Sequence, residues 1–207
     1  MGQKLTKSSF DPEVLIASGY VDNTGNAVLG DFYRNPTGTV DANIDPSGTF
    51  AIQVLSGSGA VLSKISFTPN FTITDLPTVS RYCPFVLKLA YPSNAASIRI
   101  VNGSSVLASE NIAYGLLLRA VQNLQDSAFV ANPTQHRIAL LNMINAFNLD
   151  LASSGNKIGA YTQLTQAIQP SVSAWLSSSY VAPNPLFYTR ATLLSLINEL
   201  AQRLNTQ

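Results

Sequence analysis

The chain has 207 residues, with 12 Lys+Arg against 11 Asp+Glu and a formal net charge of +1. Charged residues make up only 11%, where about 25% is usual for a soluble domain, and Ser, Thr, Asn, Gln and Gly take their place. A polar, nearly neutral surface excludes the basic footprint of a nucleic-acid binder and of a polybasic membrane-surface protein, while 46% hydrophobic residues exclude disorder.

The N-terminus, MGQKLTKSSFDPEVLIASGY, has no uninterrupted apolar h-region and does not read as a signal peptide. No run approaches the ~18 apolar residues of a membrane span. From Val14 to Val21 and from Asn26 to Tyr33, two apolar runs flank Asp22-Asn23-Thr24-Gly25, which predicts a β-hairpin. Pro36 to Gly48 is rich in Pro, Gly, Asp and Asn and predicts a loop. Residues 49–56 alternate Phe50, Ile52 and Val54 with Ala51, Gln53 and Leu55. A Ser-Gly-Ser-Gly turn follows at 56–59, and period two continues through Ile65, Phe67, Phe71 and Ile73. Pro69 within that stretch suggests an edge strand or a bulge. Residues 84–91, 97–101 and 105–112 complete the set, the last two joined by the Asn102-Gly103 hairpin signal. Seven or eight short strands with frequent turns predict an antiparallel β-sandwich of immunoglobulin-like size, with a half-open barrel as the alternative.

Past Asn111 the apolar period lengthens to that of an amphipathic helix. Leu117, Val121, Leu124 and Ala128 form one stripe, and Leu140, Ile144, Phe147 and Leu151 a second. Leu164, Ile168, Val172 and Trp175 form a third, with Leu193, Leu196, Ile197, Leu200 and Leu204 a fourth. Asn132-Pro133 reads as an N-cap followed by proline at the first helical position. Ser154-Gly155-Asn156 should separate the second and third helices, and Pro183-Asn184-Pro185 the third and fourth. Pro170 should kink the third helix or split it. The expected fold class is α+β by segregated parts: a sandwich over residues 1–111, then an antiparallel helical bundle over 112–207.

Little here carries chemistry. A Ser-His-Asp or Cys-His arrangement needs a histidine base, and the one histidine, His136, falls in the first turn of a helix. Cys83 is the one cysteine and reads as an inert, partly buried thiol. No glycine-rich phosphate loop opens a helix. These observations predict a chain that is not an enzyme. No cofactor is expected, save that Asp41, Asn43 and Asp45 alternate in a loop as candidate calcium ligands, with a plain turn as the competing reading. Candidate binding aromatics are Phe32, Tyr33, Tyr180 and Tyr188, whose rings could present flat faces to a sugar or peptide. The alternative is that they fill the core. Asn70 and Asn102 begin two Asn-x-Ser/Thr triplets.

Residues 18–71 and 84–110 resemble the Ig/fibronectin-like β-sandwich accessory domains near the C-termini of secreted prokaryotic proteins. The resemblance rests on Tyr91-Pro92, then Ile98-Arg99-Ile100, then Val106-Leu107-Ala108 after a tight turn. Residues 137–176 resemble the helical modules called FIMAH domains through Leu140-Leu141, Gly155-Asn156, Ala160, Gln163-Leu164, Ile168 and Val172. Pro170 and the polar run Asn148-Leu149-Asp150 depart from that pattern. The resemblance implies an extracellular or cell-surface location and a non-catalytic spacer or attachment role. Its partners would be upstream domains of a parent polypeptide and a cell-wall or extracellular glycan or protein, with no nucleic acid and no membrane span. A chain without a leader fits a region taken from a longer protein. A carbohydrate- or peptide-binding module and a self-assembling surface subunit are the competing expectations.

Overall fold

A computed structural model describes residues 13–35, 38–72, 79–153, 156–183 and 188–206. The chain divides into two compact units, Met1–Glu110 and Asn111–Gln207. The first holds two antiparallel sheets and the second a cluster of helices, the segregated α+β class that the change of period predicts.

Seven strands are seen among the described residues: β1 (Val14–Asp22), β2 (Ala27–Asn35), β3 (Phe50–Ser56), β4 (Val61–Phe67), β5 (Tyr82–Ala90), β6 (Ala95–Asn102) and β7 (Ser105–Asn111). One sheet has the order β2-β1-β5 and the other β4-β3-β6-β7. The inner faces follow from the alternation. Leu15, Ala17, Val21, Phe32, Leu87 and Leu89 are buried from the first sheet, and Ile52, Val54, Ile65, Ile98 and Ile100 from the second. Phe67 of β4 meets Phe85 of β5 at a centroid distance of 5.6 Å, so the two inner faces touch. Burying each such side chain contributes about 1.5–3 kcal/mol.

Two hairpins share one turn design. The amide of Gly25 donates to the Asp22 carbonyl, and that of Gly59 to the Ser56 carbonyl, each at 3.0 Å. Gly25 and Gly59 adopt φ of 89° and 85°, a left-handed conformation that glycine reaches at no steric cost. This is the type I turn plus left-handed glycine that suits the twist of a hairpin. The β4 strand ends before Pro69, and the proline that does sit within a strand is Pro84 of β5.

The segment from Gly38 to Gly48 is no mere connection, because it bonds to one edge strand of each sheet. At the β5 edge, the Asp41 amide donates to the Lys88 carbonyl and the Lys88 amide donates to Asp41 Oδ2, both at 2.9 Å. At the β4 edge, the Ser66 amide donates to Asn43 Oδ1 at 2.9 Å and the Asp45 amide to the Ser66 carbonyl at 3.1 Å. Asp45 Oδ2 also accepts from the Thr68 hydroxyl. The alternation Asp41, Asn43, Asp45 therefore reflects a strap laid along the two edges. Asp41 and Asn43 turn side-chain acceptors toward edge amides that would otherwise be left open, while Asp45 donates its backbone amide to the Ser66 carbonyl and accepts from Ser47 and Thr68 with its carboxylate.

Further caps cover other positions of the β5 edge. The Ala90 amide donates to Ser63 Oγ at 3.2 Å. The Tyr82 amide and carbonyl are both taken by the Ser80 hydroxyl, at 3.2 and 2.7 Å. Pro84 shares the outward backbone phase of Tyr82 and Lys88 and has no N–H to offer, the one place in a sheet where proline costs nothing.

In the second unit, α1 spans Ile112–Gln122, α2 Pro133–Ala152, α3 Lys157–Thr162, α4 Gln169–Trp175 and α5 Arg190–Thr206. The first stripe outlasts its helix: Leu124 lies in the connection and Ala128 in a 3-10 turn, both buried. Asn132 precedes Pro133 as expected, but it takes φ 46°, ψ 52° and makes no side-chain cap bond. In that left-handed conformation its side chain is not aimed at the first-turn amides. Pro170 does not break the third stripe. Residues Gln163–Ile168 widen into a π-helix just before it, and α4 then starts with the proline in its first turn. Widening the turn relieves the clash of a proline ring with the carbonyl four residues back. Ser154, Gly155 and the residues after Pro183 up to 187 lie outside the described residues, as do Ile73 and the N-terminal twelve. Among the described residues, no helix is long and apolar enough to cross a membrane.

Removing the strap's acceptors tests its role. Asp41→Ala combined with Asn43→Ala should destabilise the chain by about 1–2 kcal/mol from two lost hydrogen bonds. It should also produce concentration-dependent association in light scattering, because open strand edges template pairing. A monodisperse variant of wild-type stability would show that the strap is incidental.

Candidate functional site

Of the aromatic residues chosen from the sequence, Phe32 and Tyr33 belong to the first unit and Tyr180 and Tyr188 to the second. Phe32 is 1% exposed and packs in the sandwich core, so it presents no ring to a ligand. This corrects the expectation for that residue, and the cause is its register opposite inward-facing Ala17. Tyr33, the next residue, points to the other side of β2 and is half-buried. Tyr180 is half-buried, with its hydroxyl 3.0 Å from Gln125 Oε1. Tyr188 is half-buried as well.

A different group of rings stands in solvent. The outer face of the three-stranded sheet carries Val28, Tyr20 and Pro84 directly opposite one another across β2, β1 and β5. Tyr82, Pro84, Val86 and Lys88 follow along β5 on that face, all exposed. Tyr20 is 37% exposed, Tyr82 45% and Val86 67%. Tyr20 and Tyr82 meet edge to face, with centroids 5.0 Å apart and planes at 73°. They line a cavity of about 450 Å³ together with Gly19 and Pro84.

Local chemistry holds this geometry. Gly19 leaves room for the Phe85 ring beneath the site, since a Cβ there would lie 2.5 Å from Phe85 Cζ and 2.3 Å from the Val28 carbonyl oxygen. Arg81 lays its guanidinium 5.4 Å from the Tyr82 ring centroid, a cation–π distance. The Asn23 amide donates to the Arg81 carbonyl at 2.9 Å, pinning the start of β5 to the hairpin turn.

Asp22 organises that turn. Its carboxylate accepts from the Thr24 hydroxyl at 2.7 Å, the Thr24 amide at 3.0 Å, the Asn26 amide at 2.9 Å and Asn26 Nδ2 at 3.0 Å. The Thr24 hydroxyl first, and the Asn26 side chain next, lower its pKa from 3.8 to about 2. Asp45 is also held below the ordinary carboxylate range, by the Ser47 and then the Thr68 hydroxyl.

The candidate calcium residues are committed to the strap. Asp41, Asn43 and Asp45 turn acceptors to Lys88, Ser66, Ser47 and Thr68, on two different sheet edges. Among the described residues, no group of three or more His, Cys, Asp or Glu is placed to hold a metal ion. Cys83 faces the interior opposite Val21 as a free thiol.

His136 is engaged in an aromatic stack. Its ring lies parallel to Trp175 at 4.6 Å and 4°, with Phe129 at 6.5 Å. Arg137 closes the cluster, 5.2 Å from the Phe129 centroid and bonded to the Leu124 carbonyl at 2.6 Å and to Asp126 at 2.7 Å. The strand-like bridge of Phe129 with Leu176 fixes both ring-bearing segments. Comparison with family models, curated proteins and solved structures finds no match to this chain.

Two outcomes follow from this geometry. Because the Asp22 pKa is depressed, the stability it adds is fully present above the ordinary carboxylate pKa near 3.8 and is lost as pH falls through about 2. Amide shifts of Thr24 and Asn26 should therefore move together with a midpoint near pH 2, and Asp22→Asn should abolish the transition. Separately, His136→Ala should cost about 1 kcal/mol of stability from the lost ring stack and should change the emission of Trp175, the one tryptophan. An unchanged emission spectrum would separate the two rings.

Proposed function

We propose that the chain is a non-catalytic attachment region of a larger secreted or cell-surface prokaryotic protein. In this reading an Ig/fibronectin-like accessory domain is followed by a FIMAH-like helical module, and the first unit holds a ligand on the outer face of its three-stranded sheet. One observation carries it: Tyr20 and Tyr82 stand side by side in solvent, edge to face, over a cavity of about 450 Å³. Apolar patches of this kind on a protein surface mark interaction sites, and tyrosine supplies large, rigid contact area at low entropic cost.

The surroundings support the reading. Val28, Pro84 and Val86 extend the face without interruption by charge. The residues a hydrolase would draw on are occupied elsewhere: His136 is stacked on Trp175, and Cys83 faces the sheet interior. The capped β5 edge favours contact through the face over assembly by strand pairing.

The experiment is a paired screen. Wild-type protein and Tyr20→Ser/Tyr82→Ser are applied to arrays of cell-wall polysaccharides and of extended peptides. Both tyrosines are solvent-facing, so the variant should keep the wild-type melting temperature within a few degrees. Ligands of the wild type should lose at least tenfold in affinity on the variant. Ligands retained in full by the variant would move the site elsewhere.

A further inference from the structure

The shape of the aromatic face distinguishes between ligand classes. This step rests on the attachment reading above. Tyr20 and Tyr82 are inclined at 73°, so the two rings cannot lie together against one flat sugar chain. They form a notch instead, with Pro84 beside it. An extended peptide that adds a strand to β5 finds little of that edge open. Such a peptide needs open amides and carbonyls at the edge. On β5 those of Lys88 are taken by Asp41, that of Ala90 by Ser63 and those of Tyr82 by Ser80, and Pro84 has no amide, which leaves Val86, among the described residues, as the outward residue with both groups open.

A polyproline II segment suits what remains. It brings its own rigid backbone, needs no ladder, and docks proline rings into notches between aromatic side chains. Charge gives the polarity of its flanks. Arg81 and Lys88 bracket the Tyr82–Pro84–Val86 row and, among the described residues, neither is paired with a carboxylate. Asp22 lies opposite Tyr82, but its carboxylate is held by four donors in the turn. The Cα atoms of Arg81 and Lys88 are about 23 Å apart along the strand, a span that a polyproline II segment of about seven residues covers.

We infer that the outer face of the β2-β1-β5 sheet docks a proline-rich segment in polyproline II conformation with acidic residues at its flanks. The prolines seat against Tyr20, Tyr82 and Pro84, and the flanking carboxylates meet Arg81 and Lys88.

The test titrates the isotope-labelled full chain with three probes and reads its amide shifts. The first probe is a hexaproline peptide with two glutamates at each end. The second is the same peptide with lysines in place of the glutamates, and the third a soluble cell-wall oligosaccharide. The glutamate peptide should shift Tyr20, Tyr82 and Val86 in a saturable way. Tyr82→Ser should weaken it at least tenfold, and the lysine peptide should bind at least fivefold more weakly. The difference between the two peptides should shrink with salt, because the glutamate peptide weakens and the lysine peptide does not. Equal binding of both peptides, shifts away from the tyrosines, or no shift with the glutamate peptide would overturn the inference. If the oligosaccharide alone moves the tyrosine amides, this inference falls and the attachment reading stands. If no probe moves them and the array ligands are also indifferent to the tyrosine substitutions, both fall.

Discussion

The first unit depends on a short polar strap that ends two sheets at once. Asp41 pairs with both backbone groups of Lys88, and Asn43 and Asp45 together take both backbone groups of Ser66. Each sheet would otherwise expose a row of amides and carbonyls at β5 and at β4. Open rows of that kind are the usual route to strand pairing between molecules. The chain meets the problem with the acceptor side chains of Asp41 and Asn43, with the Asp45 amide, with Ser63 and Ser80, and with a proline at an outward position. Polar residues that a charge-poor composition has in abundance do the work that edge lysines do elsewhere.

Closing the edge leaves the outer face of the β2-β1-β5 sheet as the exposed surface of that sheet with large rings on it. Its layout follows from register. Tyr20 pairs with Val28 on one side and Pro84 on the other, and Tyr82 lies one step along the same face. Gly19 makes this possible from beneath, because any side chain there would collide with Phe85 and with the β2 backbone. The Asp22 turn then sets the position of the β5 start through Asn23 and Arg81. The helical unit is built differently. Its packing tolerates Pro170 by widening one turn, and it spends its single histidine on a tryptophan stack.

Much of this was legible in the sequence, and the failures have physical causes. Period two marked the strands, and the Asp-Asn-Thr-Gly and Ser-Gly-Ser-Gly turns fell where the hairpins turn. The change of period near Asn111 marked the passage to helices, and nearly every residue of the four stripes is buried. Alternation says that successive side chains face opposite ways, but not which face another sheet covers. That is why Phe32 looked available and Tyr82 did not stand out. The signal that could have found it is Pro84 inside an apolar strand, since a proline there marks an edge and so places its neighbours at a boundary. The Asp41-Asn43-Asp45 alternation was visible, but oxygen ligands for a cation and acceptors for edge amides are the same atoms. Only knowing that β4 and β5 are edges tells the two apart. The π-helix before Pro170 was not legible, because a kink, a break and a widened turn all answer the same steric clash.

The central claim is that the strap satisfies backbone groups at outward positions of two edge strands. Residue-resolved amide hydrogen exchange on the unmodified chain tests it most directly. The account predicts that the Lys88 and Ser66 amides are protected to the level of amides in central β1 and β3, although they point away from their own sheets. Exchange of those two amides at the rate of an open loop would contradict it.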